Sequence, residues 1–359
     1  AESNDFRGPY CEPVKHQGMD KRSDPQGFKD DDGKLDMYMV RFTDGNTIWV
    51  RPMKDPRTFD GHPVCLFASL PNTWETMDSR VAEGPWVIKY RNKYYMMYNA
   101  NSTSEELGNY QLGVAEADSP TSFNNGNKYP YPLLHAVHTA DGLLFSPGQP
   151  NILRGPNGFE WWLIYMANKN QDKRGQYINC IYFHNKTMHA DGITALHTEG
   201  YYPAPTKATY TCTEEFSLQD NAQKRLTSEA NAATSYLFEA EIKTTSAAGV
   251  IAWWKDENNW IKVGLDATGN WYIQQCINKQ NTTQSYALTQ DFKFGVYPNI
   301  TVERNVTDFS IRIDDIPAPG GSPVKSTITG QGIHGVLSGT GSTDFKGLIY
   351  TNGWAEVAS

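Results

Sequence analysis

A polar turn, an aromatic strand, a loop and a second strand recur three times between Asp31 and Ile181, and this repeat limits the fold more than any other feature. The first copy runs from Asp31-Asp32-Gly33-Lys34 into Leu35–Phe42 and then Asn46–Val50. The second runs from Arg91-Asn92-Lys93 into Tyr94–Asn99 and Tyr110–Ala115, the third from Pro156-Asn157-Gly158 into Phe159–Tyr165 and Gln176–Ile181. The turns lie 59 and 66 residues apart, counted from Gly33 to Asn92 to Gly158. That period suits a four-stranded β-propeller blade with generous loops; the other reading is a succession of hairpins in a sandwich. A closed propeller needs at least about four blades. The chain therefore reads as starting inside a propeller, with Ala1–Met19 as the tail of an earlier blade.

Past Pro203-Ala204-Pro205 the pattern changes. Tyr236–Ile242, Gly249–Trp254, Trp260–Leu265 and Trp271–Gln274 follow one another with Asp, Asn and Gly turns between them, and Gly347–Trp354 reads as a closing strand. Such spacing fits an antiparallel β-sandwich. The expected organisation is all-β: an incomplete propeller over residues 1–205 and a β-sandwich over 206–359. With 359 residues, two compact units are the natural division.

Charge and motifs exclude several functions. Asp and Glu outnumber Lys and Arg by 40 to 32, which argues against nucleic acid or an anionic membrane as partner. No apolar run approaches the length of a membrane span, and Ala1 reads as the start of a processed, secreted chain. Five cysteines (Cys11, Cys65, Cys180, Cys212 and Cys276) lie far apart without a CxxC pair, which disfavours zinc and thioredoxin-type chemistry. The odd number leaves at least one thiol free or paired with another chain. Sequons at Asn101, Asn185, Asn281, Asn299 and Asn305 are compatible with a secreted glycoprotein. The eight histidines form no HExxH pair, and no G-x-S-x-G or Walker motif occurs. Asp30-Asp31-Asp32-Gly33 lacks the alternating ligands and distal Glu of an EF-hand and reads as a solvated hairpin turn.

Two carboxylates are left as candidates for chemistry. Glu83 stands in Arg80-Val81-Ala82-Glu83-Gly84-Pro85-Trp86, at the mouth of an apolar strand, where a surface Glu is an unusual choice. Apolar backing of this kind favours the protonated carboxyl that a general acid needs. Asp24 lies in Ser23-Asp24-Pro25-Gln26-Gly27-Phe28, ahead of the first hairpin, in the place that Glu83 takes ahead of the second. Asp24 alone could equally cap a turn. Propeller strands converge on an axis, so residues at matched positions meet there and two such carboxylates set each other's protonation.

Residues 1–200 resemble the catalytic propeller of glycoside hydrolase family 43, the β-xylosidases, α-L-arabinofuranosidases and arabinanases, which implies a five-bladed β-propeller that is incomplete in this chain. Ser23-Asp24-Pro25-Gln26-Gly27-Phe28 with its Asp-Asp-Gly turn is similar to the family's second-blade motif, and Glu83-Gly84-Pro85 with Tyr94-Tyr95 to the third-blade motif. Ser146-Pro147-Gly148-Gln149 and Arg174-Gly175-Gln176 are weaker matches. The resemblance implies Glu83 as general acid, Asp24 as the residue that orients and tunes it, and Arg174 as a sugar ligand. Gln149, Trp86 and Phe28 are further candidates for substrate contact. No cofactor is required; the resemblance allows a structural calcium ion, with Gln149 standing where the family usually has a His. The catalytic base of the family is an Asp in the first blade, and Asp5, in Asn4-Asp5-Phe6-Arg7-Gly8-Pro9, sits instead in what matches an inter-blade linker.

The expectation is a secreted, inverting hydrolase of arabinofuranosyl or xylosyl linkages in polysaccharide. A companion chain or fragment would carry the first blade and the base, with Cys11 placed for an interchain disulfide. The alternative is a non-catalytic carbohydrate-binding propeller. Residues 206–359 resemble the concanavalin-like modules appended to such propellers, on the phrase Gly249–Trp260; their tryptophans serve either as core or as sugar platforms.

Overall fold

The computed structural model describes residues 22–90, 93–103, 108–139, 142–170, 174–192, 207–219, 224–226, 234–266, 268–288, 297–314, 316–321, 323–328 and 330–352. Asp5, Cys11, Trp354 and the expected boundary around Pro203–Pro205 lie outside them. The chain divides into two compact units. One comprises residues 1–30, 34–153 and 161–204; the other comprises 31–33, 154–160 and 205–359.

Three antiparallel sheets build the described part of the first unit. The first contains β1 (Arg22–Lys29), β2 (Leu35–Phe42), β3 (Asn46–Asp55) and β4 (Thr58–Phe59) in that order, with β5 (Val64–Phe67) also on β3. The second is β6 (Ala82–Tyr90), β7 (Lys93–Ala100) and β8 (Gln111–Ala117). The third comprises β9 (Val137–Thr139), β10 (Gly142–Arg154), β11 (Trp161–Lys169), β12 (Gly175–His184) and β13 (Thr187–Ala190), each paired with the next. This is the blade-by-blade succession of an incomplete propeller, not the two facing sheets of a sandwich.

The unbroken apolar run of β7 follows from that stacking. Successive side chains of a strand point to opposite faces. Tyr94, Met96, Tyr98 and Ala100 join Tyr38, Ile48, Val50 and Phe67 of the first sheet in one core. Tyr95 and Met97 join Leu144, Leu163 and Tyr165 of the third sheet in another. A strand covered on both faces has no polar side to show, so alternation vanishes from its sequence. Each such large side chain contributes about 1.5–3 kcal/mol on burial.

Asp30 departs from the expected solvated turn. It is buried, accepts a hydrogen bond from the Tyr94 hydroxyl at 2.6 Å, and pairs with Lys89 Nζ at 3.0 Å. Only residues 31–33 form the turn itself. The aspartate run hides one anchoring carboxylate because residue type alone does not reveal which member faces a cation on the next sheet.

The second unit is a β-sandwich. A six-stranded sheet runs in the order 224–226, 333–337, 248–256, 259–265, 270–277 and 280–287. An eight-stranded sheet is built around 343–352, 235–244, 299–305 and 308–313. Their inner faces share a core that includes Phe238, Val250, Ile261, Trp271, Val302 and Phe345. Trp253, Trp254 and Trp271 are all buried, so these three serve as core.

His334 lies fully inside this core, 4.3 Å from the Tyr236 ring and 4.4 Å from the Tyr350 ring. Burial pulls its pKa down to about 3, and the Arg304 cation works in the same direction against a backbone hydrogen bond at Ala252. The unfolded chain takes up this proton near pH 6.5, the folded chain only near 3. His334 thus favours folding above pH 6.5, and that contribution is lost as pH falls towards 3. Urea titrations of the sandwich transition should show its midpoint dropping through this window. Replacing His334 with Phe should flatten the drop; an unchanged slope would contradict it.

The sequons separate by environment. Asn101 is fully buried: its Oδ1 accepts the Met77 N–H at 2.6 Å, and its Nδ2 donates to Trp74 O at 2.7 Å and Asn109 O at 3.0 Å. Its amide is thereby committed to the fold. Asn185, Asn281 and Asn305 are exposed, and Asn299 is half-buried. The four described cysteines are free thiols.

Candidate active site

Three left-handed residues, each immediately followed by proline, shape the site. Asp24 (φ 50°), Gly84 (φ 61°) and Ser146 (φ 55°) precede Pro25, Pro85 and Pro147 on β1, β6 and β10. The residue before proline is already restricted, and a non-glycine residue at positive φ costs about 1–3 kcal/mol. The left-handed step ahead of proline recurs in three sheets, strained at Asp24 and Ser146 and accommodated by glycine at Gly84. In two of them it coincides with a β-bulge: Asp24-Pro25 lies between the pairs Ser23↔Val40 and Gln26↔Tyr38, and Gly84-Pro85 between Glu83↔Asn99 and Trp86↔Met97. Bulges re-aim the flanking side chains and gather near active sites.

This register refines the matching of the two carboxylates. Asp24 corresponds to Gly84, and Glu83 to Ser23, an offset of one residue that spacing alone conceals. They are nevertheless brought together, because Asp24 Oδ2 accepts the Gly84 N–H at 3.0 Å and so pins the backbone next to Glu83. Both side chains are half-buried and reach solvent.

The Glu83 carboxyl is tethered at both oxygens by neutral donors. Tyr110 OH donates to Oε1 at 2.8 Å, and Asn46 Nδ2 donates to Oε2 at 2.7 Å. Asn46 comes from the first sheet, where it also bridges in parallel to Val81. Tyr110 stands just ahead of β8 and is buried, which with the nearby Glu83 charge drives its phenol pKa far above the ordinary value; Asp24 adds to the rise and Arg174 opposes it. Tyr110 therefore remains a hydrogen-bond donor at any working pH.

Amide side chains clip the sheets together on either side of Glu83. Gln26, on β1, donates to Val87 O at 3.2 Å and accepts the Val87 N–H at 3.0 Å, replacing a strand–strand bridge to β6. Asn99, on β7, accepts the Gln149 N–H at 3.0 Å and donates to Pro147 O at 3.4 Å, holding β10 in the same way. A Cβ on Gly84 would come within 2.8 Å of Asn99 Oδ1, so this clip needs glycine there.

Of the other expected site residues, Gln149 is exposed at φ 53° beside Gly84, and Arg174 is exposed. Arg174 donates to Thr103 O at 3.4 Å, and its charge works against the rise of the Tyr110 pKa. Phe28 and Trp86 go elsewhere. Phe28 is half-buried and edge-on to Tyr94 at 6.0 Å, and Trp86 packs on the cluster of Ile88, Tyr95 and Met97. Sequence reading passed over Tyr110, Asn46, Asn99 and Gln26. The tyrosine and the amides carry no motif of their own; their role depends on which strand lies beside which.

No group of three or more His, Cys, Asp or Glu side chains with metal-holding geometry occurs among the described residues. Gln149 brings one amide oxygen where the resemblance has an imidazole, and the mechanism proposed for these residues assigns no step to a metal.

A bulged strand here presents a glutamate beside a backbone amide that an aspartate holds, on stacked β-sheets. The sequence profile of Glycosyl hydrolases family 43 matches residues 1–193, more than half of the 359-residue chain, and the chain belongs to this family. Among curated proteins, the extracellular exo-α-(1→5)-L-arabinofuranosidase of Streptomyces avermitilis is 27% identical over 139 residues, or 38% of this chain. That match spans only 28% of the relative's own length. Among solved structures, an endo-1,4-β-xylanase from Bacteroides thetaiotaomicron is 30% identical, with TM-score 0.46, over 52% of this chain and 64% of that one. A thermostable family-43 glycoside hydrolase is 27% identical, with TM-score 0.45, over 52% and 61% of the two chains.

Proposed function

We propose that the protein is a secreted, inverting glycoside hydrolase that cleaves arabinofuranosyl or xylosyl linkages in plant-type polysaccharide. The observation that carries this reading is the Glu83 carboxyl, fixed at both oxygens and open to solvent, beside a backbone pinned by Asp24. Glu83 donates its proton to the glycosidic oxygen as the bond to the anomeric carbon breaks. A water attacks that carbon from the opposite face and gives its proton to a second carboxylate, so configuration inverts in one displacement. Asp24 orients Glu83 by holding the Gly84 amide, while Arg174 and Gln149 contact the sugar.

Inversion needs the base about 6.5–9.5 Å from the acid. Here that base comes from a companion chain or another segment of the protein, and Asp24 is committed to the Gly84 amide. Secretion is supported by the similarity to the extracellular arabinofuranosidase of Streptomyces avermitilis. No helix among the described residues is long and apolar enough to cross a membrane.

Proton NMR of the sugar in its first minutes of release tests the mechanism. The initial anomer should be opposite in configuration to the substrate linkage; a retained anomer would contradict single displacement. Non-reducing intact-mass analysis of the same native preparation tests the companion chain. A disulfide-linked species through Cys11 supports it, and a lone chain with five free thiols removes it.

A further inference from the structure

We propose that Tyr110 is the positioning residue that sets the plane of the Glu83 carboxyl, and that Gly148 and Asn99 hold Tyr110 in place. The inference deepens the functional reading above and rests on Glu83 being the acid. Glu83 accepts one bond from each side, Asn46 Nδ2 from the first sheet and Tyr110 OH from the second. Asn46 is anchored through its own backbone, its N–H donating to Arg80 O at 3.1 Å. Tyr110 is held instead by packing. A Cβ on Gly148 would stand 2.2 Å from Tyr110 Cε1 and 2.9 Å from Asn99 Nδ2, so the ring occupies the space that glycine leaves.

Gly148 is in turn placed by Asn99, fully buried, whose amide bonds the residues on either side of it, Pro147 O and Gln149 N. A chain of contact thus runs from Asn99 through the β10 backbone to the Tyr110 ring and on to Glu83 Oε1. Loss of the phenol hydroxyl frees one oxygen of the acid to swing, while the sugar contacts of Arg174 and Gln149 remain. Misplacement of a reacting group by about 1 Å costs on the order of 100-fold.

Proton donation matters for a poor leaving group and little for an activated one, and this separates positioning of the acid from general structural damage. The intact native protein, Tyr110→Phe, Gly148→Ala, their double variant and a Glu83→Gln control are compared on 4-methoxyphenyl and 2,4-dinitrophenyl glycosides of the sugar that is cleaved. Tyr110→Phe should lower kcat on the methoxyphenyl substrate by about 10–100-fold and leave KM unchanged. On the dinitrophenyl substrate it should stay within about threefold, since that phenolate leaves without a proton. Gly148→Ala should give the same pattern, and the double variant should be no worse than the poorer single, because both act through one hydroxyl. An equal loss on both substrates, or none, with Glu83→Gln still discriminating between them, overturns the role of Tyr110 alone. Failure of Glu83→Gln to discriminate overturns the acid assignment and this inference with it.

Discussion

Replacing Glu83 with Gln should lower kcat on unactivated oligosaccharide by about 100- to 10,000-fold, the usual contribution of a positioned general acid. The substitution is nearly isosteric. The amide oxygen can still accept from Asn46 Nδ2, and the amide NH2 can donate to the Tyr110 oxygen once that hydroxyl rotates, so both contacts now at 2.7 Å and 2.8 Å can be kept. Activity should therefore collapse with the thermal midpoint nearly unmoved. A proportionate fall in both would make Glu83 a structural residue.

The second large effect is on stability. Lys128 and Glu75 form an ion pair at 2.7 Å in which both side chains are 1% exposed. Each is further satisfied: Lys128 Nζ donates to Ala68 O at 2.7 Å and lies 4.3 Å from the Phe67 ring. Glu75 accepts from Tyr98 OH at 2.8 Å and from the Leu70 N–H at 2.9 Å. Burial depresses the lysine pKa, and the Glu75 charge partly restores it. Lys128→Met leaves a carboxylate buried without its cation, a defect worth about 3–5 kcal/mol. Adding Glu75→Gln removes the stranded charge and should recover a good part of that loss. Urea unfolding of the first unit measures both variants. A single substitution costing under 1 kcal/mol would show that water reaches the site.

The elements that could be read from the sequence were those whose neighbours are close in the chain. The strand runs at Leu35–Phe42, Tyr94–Asn99 and Phe159–Tyr165 announce themselves by composition; the first two fall within β2 and β7, and the third joins β11 from Trp161 onward. The sandwich strands from Tyr236 to Gln274 were equally plain, because turn residues punctuate them at short intervals. Asp24 and Glu83 were visible as residues, but their relation was not. Their one-residue offset arises from bulges at Asp24-Pro25 and Gly84-Pro85, which depend on backbone angles that no residue type dictates. Tyr110 and Asn99 were hidden for a different reason. A tyrosine ahead of a β-strand and an asparagine within one are ordinary core and turn choices until another sheet is laid against them. Phe28 and Trp86, chosen for their nearness in sequence to the carboxylates, are half-buried, one edge-on to Tyr94 and the other against Ile88, Tyr95 and Met97.

The central claim is that Glu83 gives its proton to the departing sugar oxygen. The most direct measurement is the dependence of kcat/KM on leaving-group acidity across a series of aryl glycosides, for the native protein and for Glu83→Gln. A shallow dependence in the native protein and a steep one in the variant, with rates converging for 2,4-dinitrophenol, is the expected result. Parallel lines, with the variant slower by the same factor for every leaving group, would contradict the claim.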